Sequence, residues 1–210
     1  VALMLENMSS NKAYRYAAKL GDPDRTILDA YQTRYIAYRN AWNNQPHQAV
    51  SEKLTGSLFK QAGFGPLCVD IEVAAVCDLA CSFCYRQHIL TPDKVIDPDL
   101  YKNLIDQCAE MNVPSVKLNW RGEPLLHPNL PEFVDYAKEK GILEVMINTN
   151  ATTLDADKSR KLIEAGLDQI IYSFDGGTPE TYESMRVGRF NDNSFELVYG
   201  NIKTFAEVRN

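Results

Sequence analysis

An α/β protein built from parallel βαβ units is what this sequence predicts, on three observations. From Leu67 onward, short β-branched runs alternate with amphipathic stretches four times over, the pattern of a parallel sheet with crossover helices. Each of the four strands runs into a loop carrying polar or metal-binding residues, and parallel sheets gather their ligands at those C-terminal strand ends. At 210 residues and 45% hydrophobic content, the chain can bury a core without needing disulfides or a metal simply to fold.

Residues 1–64 read differently, as a helical N-terminal extension and connector. Asp22 can cap a helix that Pro23 opens. Ile27, Leu28, Tyr31, Tyr35, Ile36, Tyr38 and Trp42 then recur at near-helical spacing, a stripe suited to packing. Asn43-Asn44-Gln45-Pro46 is expected to end this helix, with a connector from Gln48 to Phe64 and Gly63 and Gly65 as breakers.

Residues 65–210 form the core. The first strand spans about Leu67 to Val73 and delivers Cys77, Cys81 and Cys84. Asp97 caps and Pro98 opens the next helix, whose stripe is Leu100, Leu104, Ile105, Cys108 and Met111, so Cys108 reads as a small buried hydrophobe. The second strand, Ser115 to Leu118, ends in Asn119-Trp120-Arg121-Gly122-Glu123-Pro124, and Pro131 starts a helix that Gly141 stops. Glu144 to Ile147 is the third strand, ending at Asn148-Thr149-Asn150 and followed by a helix over 156–165 with Gly166 as its cap. Gln169 to Phe174 is the fourth, ending at Asp175-Gly176-Gly177, after which Thr178 and Pro179 begin another helix. A last helix opens at Ser194 with Leu197, Val198, Ile202 and Phe205 on one face.

Composition excludes several classes. The formal net charge of −6 argues against sequence-independent nucleic-acid binding, which needs a surplus of Lys and Arg against phosphates. No stretch approaches the roughly 20 apolar residues of a membrane span. Five cysteines, three of them clustered, point to metal or redox use in a reducing cytoplasm.

Those three, Cys77, Cys81 and Cys84, carry the chemistry. A C-x3-C-x2-C loop supplies three thiolates and no fourth, so a [4Fe-4S] cluster bound there keeps one iron open, as catalytic metal sites keep a vacant position. Two other readings stand beside it. A Cys3His zinc site would need His88 as fourth ligand, and a redox pair of Cys81 and Cys84 would leave Cys77 without a role. His47, His88 and His127 otherwise read as ordinary surface or loop histidines.

The run Cys77-Asp-Leu-Ala-Cys81-Ser-Phe83-Cys84, with an aromatic residue before the last cysteine, resembles the signature of the radical S-adenosylmethionine (radical SAM) superfamily. The resemblance extends over about residues 67–208. Gly122-Glu123 resembles the Gly-Gly-Glu stretch that receives the SAM amino group, with Arg121 in place of the first glycine. Ser173-x-Asp175-Gly with Arg186 resembles the pattern in which a serine and an arginine hold the SAM carboxylate and nearby polar groups meet the ribose. Phe83 is implied near the adenine, and Asn148 and Asn150 facing the cofactor.

The resemblance implies a partial (βα) barrel of the radical SAM type. It implies an enzyme in which Cys77, Cys81 and Cys84 bind a [4Fe-4S] cluster, SAM chelates the open iron, and reductive cleavage of SAM gives a 5′-deoxyadenosyl radical that takes a substrate hydrogen. Gly-Glu-Pro-Leu-Leu-His-Pro and Ser-Phe-Asp-Gly-Gly-Thr-Pro-Glu-Thr-Tyr are similar to members with a SPASM or twitch extension, which points to a peptide, sugar or small-metabolite substrate. An electron donor such as a flavodoxin or ferredoxin is implied. Six βα units are usual in such cores, so the chain is expected to hold the first four. The alternative is a non-catalytic zinc or structural Fe–S domain that serves as an interaction module.

Overall fold

The computed structural model describes residues 25–52, 63–90, 92–191 and 193–210. Asp22, Pro23 and residues 53–62 of the expected connector lie outside them. Two compact units divide the chain. One takes in residues up to Cys68 together with Glu110–Pro114; the other holds Val69–Ala109 and Ser115–Asn210.

The first unit is organised by helix α1, Arg25–Glu52. Tyr35, Tyr38, Ala41 and Gln45, spaced by three and four, form its buried face. Tyr38 is fully enclosed and meets Tyr35, Trp42 and Phe64 edge-on, with centroids 6.0–6.4 Å apart. Arg34 donates to the Asn112 carboxamide oxygen at 2.6 Å. Two expectations need correction here. Ile36 and Trp42 lie on the exposed side of the stripe. The helix also runs through Pro46 to Glu52 rather than ending there; proline deletes one donor, and the turns on either side keep theirs.

The second unit is a four-stranded parallel sheet in the order β1-β2-β3-β4, with β1 at Val69–Asp70, β2 at Ser115–Lys117, β3 at Glu144–Thr149 and β4 at Gln169–Tyr172. Helices α2 (Pro98–Glu110), α3 (Leu130–Glu139), α4 (Ala156–Ala165), α5 (Pro179–Met185) and α6 (Phe195–Arg209) complete it. Alternate strand residues face opposite sides. Val73, Val116, Leu118, Val145 and Ile147 are fully enclosed beneath the helices. Lys117, Met146, Asn148, Gln169 and Ile171, matched across the register, form an inner face that is half-buried to exposed. A parallel sheet covered on one face and open and partly polar on the other is the wall of a partial barrel.

Local chemistry explains the boundaries. Asp97 accepts from the N–H groups of Asp99 and Leu100 at 2.9 and 3.1 Å, as expected of a cap. Asp155, Thr178 and Ser194 cap α4, α5 and α6 in the same way. Gly166 closes α4 in the left-handed conformation, φ 85°.

The buried face of α2 is Tyr101, Ile105 and Cys108, with Leu100 and Met111 exposed, because Tyr101 stacks on Phe133 at 3.9 Å and its hydroxyl donates to the Phe133 carbonyl. On α6, Val198 and Phe205 are buried and Leu197 is exposed. His127, read as a surface or loop histidine, does lie in a loop, after the turn at Pro124–Leu126, and is buried there as a clamp. Its Nδ1 accepts from the Asn129 N–H at 3.0 Å, so its Nε2 carries the proton and donates to the Ile96 carbonyl at 3.0 Å.

Candidate functional site

The four strand ends open on one side of the sheet, and the cysteine loop crosses them there. The main chain sets its course. The Ile71 N–H extends the β1–β2 pairing to the Lys117 carbonyl, and the segment 94–96 braces Val73 and Ala75 by two further bonds. Beyond Cys77 the loop pairs with the residues that leave α5. Ala80 N–H donates to Val187 at 2.8 Å, Ser82 N–H to Met185 at 3.4 Å, and Arg189 N–H to Asp78 at 2.7 Å. Arg186 is thereby fixed beside Cys81.

Gly122 and Glu123 press against the approach to Cys77. A Cβ on Gly122 would stand 1.9 Å from the Ala74 carbonyl oxygen and 2.7 Å from that of Val76, so only glycine fits. The Glu123 N–H donates to the Val76 oxygen at 2.9 Å. The Glu123 carboxylate is buried and saturated by this chain's own donors: Leu125 N–H at 3.0 Å, Thr149 Oγ1 at 2.7 Å and Asn150 N–H at 2.8 Å. Burial pushes its carboxyl up to about 7 against those bonds, with the negative charge of Asp78 adding to the push. What Glu123 leaves toward the site is main chain.

Asn150, also buried, turns its side-chain amide to Asp78 at 2.8 Å and to the Cys77 sulfur at 3.9 Å. Asn148 receives nothing from the described residues at its own buried carboxamide oxygen, while its N–H donates to Asn119 at 2.7 Å. Ser173 continues the line of β4, its N–H donating to Thr149 at 2.8 Å. The guanidinium of Arg186 grips one Asp175 oxygen through Nε and Nη2, donates from Nη1 to the Cys81 sulfur at 3.8 Å, and lies 5.3 Å over the half-exposed Phe83 ring.

The structure therefore groups Cys81, Phe83, Asp175 and Arg186 in one cluster, and Cys77, Asn150 and Glu123 in another. Among the described residues, neither Asn148 nor Ser173 hydrogen-bonds a cysteine. Sequence reasoning passed over Asp78, Glu72 and Asp93. Asp78 anchors Asn150 and Thr152; Glu72 holds Arg121 through the guanidinium Nε and Nη2 and through its main-chain N–H; Asp93 pairs with Arg86 and Arg189. Asp78 sits inside the cysteine motif and had that much signal; the other two are paired only by the fold.

The donor set fits an iron–sulfur cluster. Among the described residues, no three of His, Cys, Asp or Glu converge as ligands of a single ion do. A cluster spreads its thiolates over separate irons, and the three cysteines lie close enough that Cys77 feels the charge of Cys81 and Cys81 that of Cys84. Burial pushes the Cys77 thiol up to about 12 and raises Cys81, whose rise the Arg186 charge opposes. A cluster bound through them would displace those protons.

A half-barrel whose strand ends gather three cysteines, a glycine-seated loop and an arginine matches a known class. The Radical SAM superfamily profile matches residues 71–207, and the chain belongs to that superfamily, whose enzymes use a [4Fe-4S] cluster and SAM. The GTP 3′,8-cyclase of Chlorobaculum tepidum is 38% identical over 131 residues, 61% of this chain and 39% of that protein. The Fe-coproporphyrin III synthase of Methanosarcina barkeri is 36% identical over 101 residues, 48% of this chain and 25% of that protein. The chain thus spans about two fifths or less of these relatives' length. Among solved structures, Streptococcus suis SuiB bound to S-adenosylmethionine superposes with a TM-score of 0.55 over 87% of this chain and 44% of that one, at 18% identity, a likeness of fold. Among the described residues, no helix is long and apolar enough to cross a membrane.

Proposed function

We propose that this chain is the cluster- and SAM-binding part of a radical SAM enzyme. Cys77, Cys81 and Cys84 would hold the cluster, and Gly122, the Glu123 main chain, Asn148, Ser173 and Asp175 would surround SAM, with Phe83 beside its adenine. The observation that carries this reading is the seating of the Gly122 loop against the residues leading into Cys77, which brings two motifs 37 positions or more apart in sequence to one place. The cluster and SAM held there would supply radical chemistry, hydrogen-atom removal from a substrate. The chain's own residues bind and orient: the unpartnered Asn148 oxygen awaits a donor, and the Glu123 side chain locks the ends of β2 and β3 together.

The substrate is a small molecule on this reading. The names of the two curated relatives specify GTP and Fe-coproporphyrin III, which favours that class over a peptide. Five cysteines, three of them in one short loop, suit a reducing compartment, where a flavodoxin- or ferredoxin-type donor would supply the electron.

Anaerobic iron and sulfide analysis, with electron paramagnetic resonance of the reduced protein before and after SAM, tests the proposal. The expected result is a [4Fe-4S] signal that SAM alters and Cys81→Ala abolishes. Zinc without iron, or a cluster signal indifferent to SAM, would leave the non-catalytic metal domain instead.

A further inference from the structure

Resting on the reading that Cys77, Cys81 and Cys84 hold the cluster, we propose that Arg186 and Asn150 are N–H donors to two of its thiolates and set its reduction potential. Arg186 then serves the cluster rather than the SAM carboxylate. Three observations lead there. The five N–H donors of a guanidinium form a fixed fork, and in Arg186 Nε and Nη2 each give an N–H to Asp175, an anchor that turns Nη1 toward Cys81 at 3.8 Å. The side chain is only 12% exposed, so it has little room to turn to another anion. The main-chain bonds of Met185 to Ser82 and of Val187 to Ala80 hold it on the cysteine loop from both sides.

Asn150 repeats the arrangement on the other flank. Its amide nitrogen is shared between an aspartate, Asp78 at 2.8 Å, and a cluster sulfur, Cys77 at 3.9 Å. Its carbonyl oxygen accepts from Thr152 N–H at 3.0 Å, which fixes which end of the amide faces the sulfur. In each case an acidic residue aims a donor at a thiolate.

The physical consequence follows from charge. One-electron reduction adds negative charge to the cluster and its sulfurs, so a donor or a cation at a sulfur stabilises the reduced form more than the oxidised form. Cys81 is buried and the Arg186 side chain mostly so, while Asp175 and Phe83 are open to water, so the effect is partly screened. Asp175 moderates it by neutralising part of the Arg186 charge.

The test is a redox titration of the reconstituted, SAM-free protein followed by electron paramagnetic resonance, alongside a SAM binding isotherm and iron and sulfide content. Arg186→Gln should keep its cluster, bind SAM within about threefold of wild type, and be harder to reduce by roughly tenfold in equilibrium constant, about 59 mV for one electron. Arg186→Lys, which keeps the charge but not the fork, should fall between. Asn150→Ala should shift in the same direction. An Arg186→Gln protein with unchanged potential and weakened SAM binding would make Arg186 a SAM ligand and overturn the proposal. Loss of the cluster from both Arg186 variants, with secondary structure intact, would make it an assembly residue and overturn it equally. A wild-type chain that takes up no iron–sulfur cluster would defeat the functional reading itself, an outcome that iron analysis separates from the others.

Discussion

Replacing Gly122 by alanine probes the seam between the β2 loop and the residues leading into Cys77. The added Cβ would stand 1.9 Å from the Ala74 oxygen. Both nearest oxygens, of Ala74 and Val76, are main chain, so no side-chain rotation relieves the clash. Real Cβ atoms essentially never approach closer than 3.0 Å, which requires the two segments to part by about 1.1 Å. The Glu123 N–H bond to Val76, now 2.9 Å, crosses the same seam and is lost at that displacement. Losing that bond and shifting the main chain that lines the site removes one or two hydrogen bonds, about 1–3 kcal/mol, and SAM binding to the reconstituted Gly122→Ala protein should weaken by roughly tenfold to a hundredfold. Gly176→Ala, whose Cβ would meet the Tyr182 nitrogen at 2.4 Å, should also impair the site, whereas Gly177→Ala, with nothing within 4 Å, should not. Isothermal titration with SAM after anaerobic reconstitution reads all three. Wild-type affinity in Gly122→Ala, or an equal loss in Gly177→Ala, would refute the steric argument.

Two further outcomes concern stability. The Glu123 carboxyl, at about 7 in the fold against 4.5 ordinarily, binds its proton more tightly folded than unfolded. Its contribution is complete below about pH 4.5 and disappears as pH rises to about 7, up to about 3 kcal/mol. Urea unfolding of Glu123→Gln should be less stable than wild type by about 1–3 kcal/mol at pH 5, because one of three buried donors loses its acceptor, and the gap should narrow by pH 8; parallel pH profiles would contradict this. Asp168 accepts from Lys138 Nζ at 2.8 Å and Val145 N–H at 2.7 Å at the opposite, N-terminal ends of the strands, with side chains 3% and 14% exposed. Asp168→Ala should cost about 2–4 kcal/mol in chemical denaturation, because it takes the carboxylate from a poorly solvated ammonium that keeps the Leu143 carbonyl at 2.8 Å and takes the acceptor from the Val145 N–H, while a loss below about 1 kcal/mol would show that water replaces the carboxylate.

The sequence carried the α/β class, the four strands and the helix caps because those depend on local patterns. Asp97-Pro98, Thr178-Pro179 and Ser194 each announce a helix start within a few residues. It misplaced the buried face of α2, where Leu100 and Tyr101 compete for the core and only stacking on Phe133, 32 positions away, decides for Tyr101. It passed Pro46 as a terminator because proline's local preference is outweighed by the helical bonds around it. At the site, the residue types were legible but their partners were not. Nothing local says that Arg186 will be taken up by Asp175 and Cys81, or that the Glu123 carboxylate will be buried under Thr149 and Asn150.

Arg121 shows how the fold absorbs the one departure from the glycine pair. Its side chain leaves the loop sideways. Glu72 accepts from Nε at 3.0 Å, from Nη2 at 2.6 Å and from the Arg121 N–H at 3.0 Å, and the guanidinium lies 4.6 Å over the exposed Trp120 ring. A bidentate carboxylate paired with a planar cation and an aromatic face suits arginine in a way lysine would not reproduce. The side chain is thereby held along the end of β1, away from the Ala74 and Val76 oxygens that exclude a Cβ at the next position. The steric demand for glycine falls on Gly122 alone, and a bulky residue at 121 is compatible with the same loop course so long as Glu72 is there to receive it.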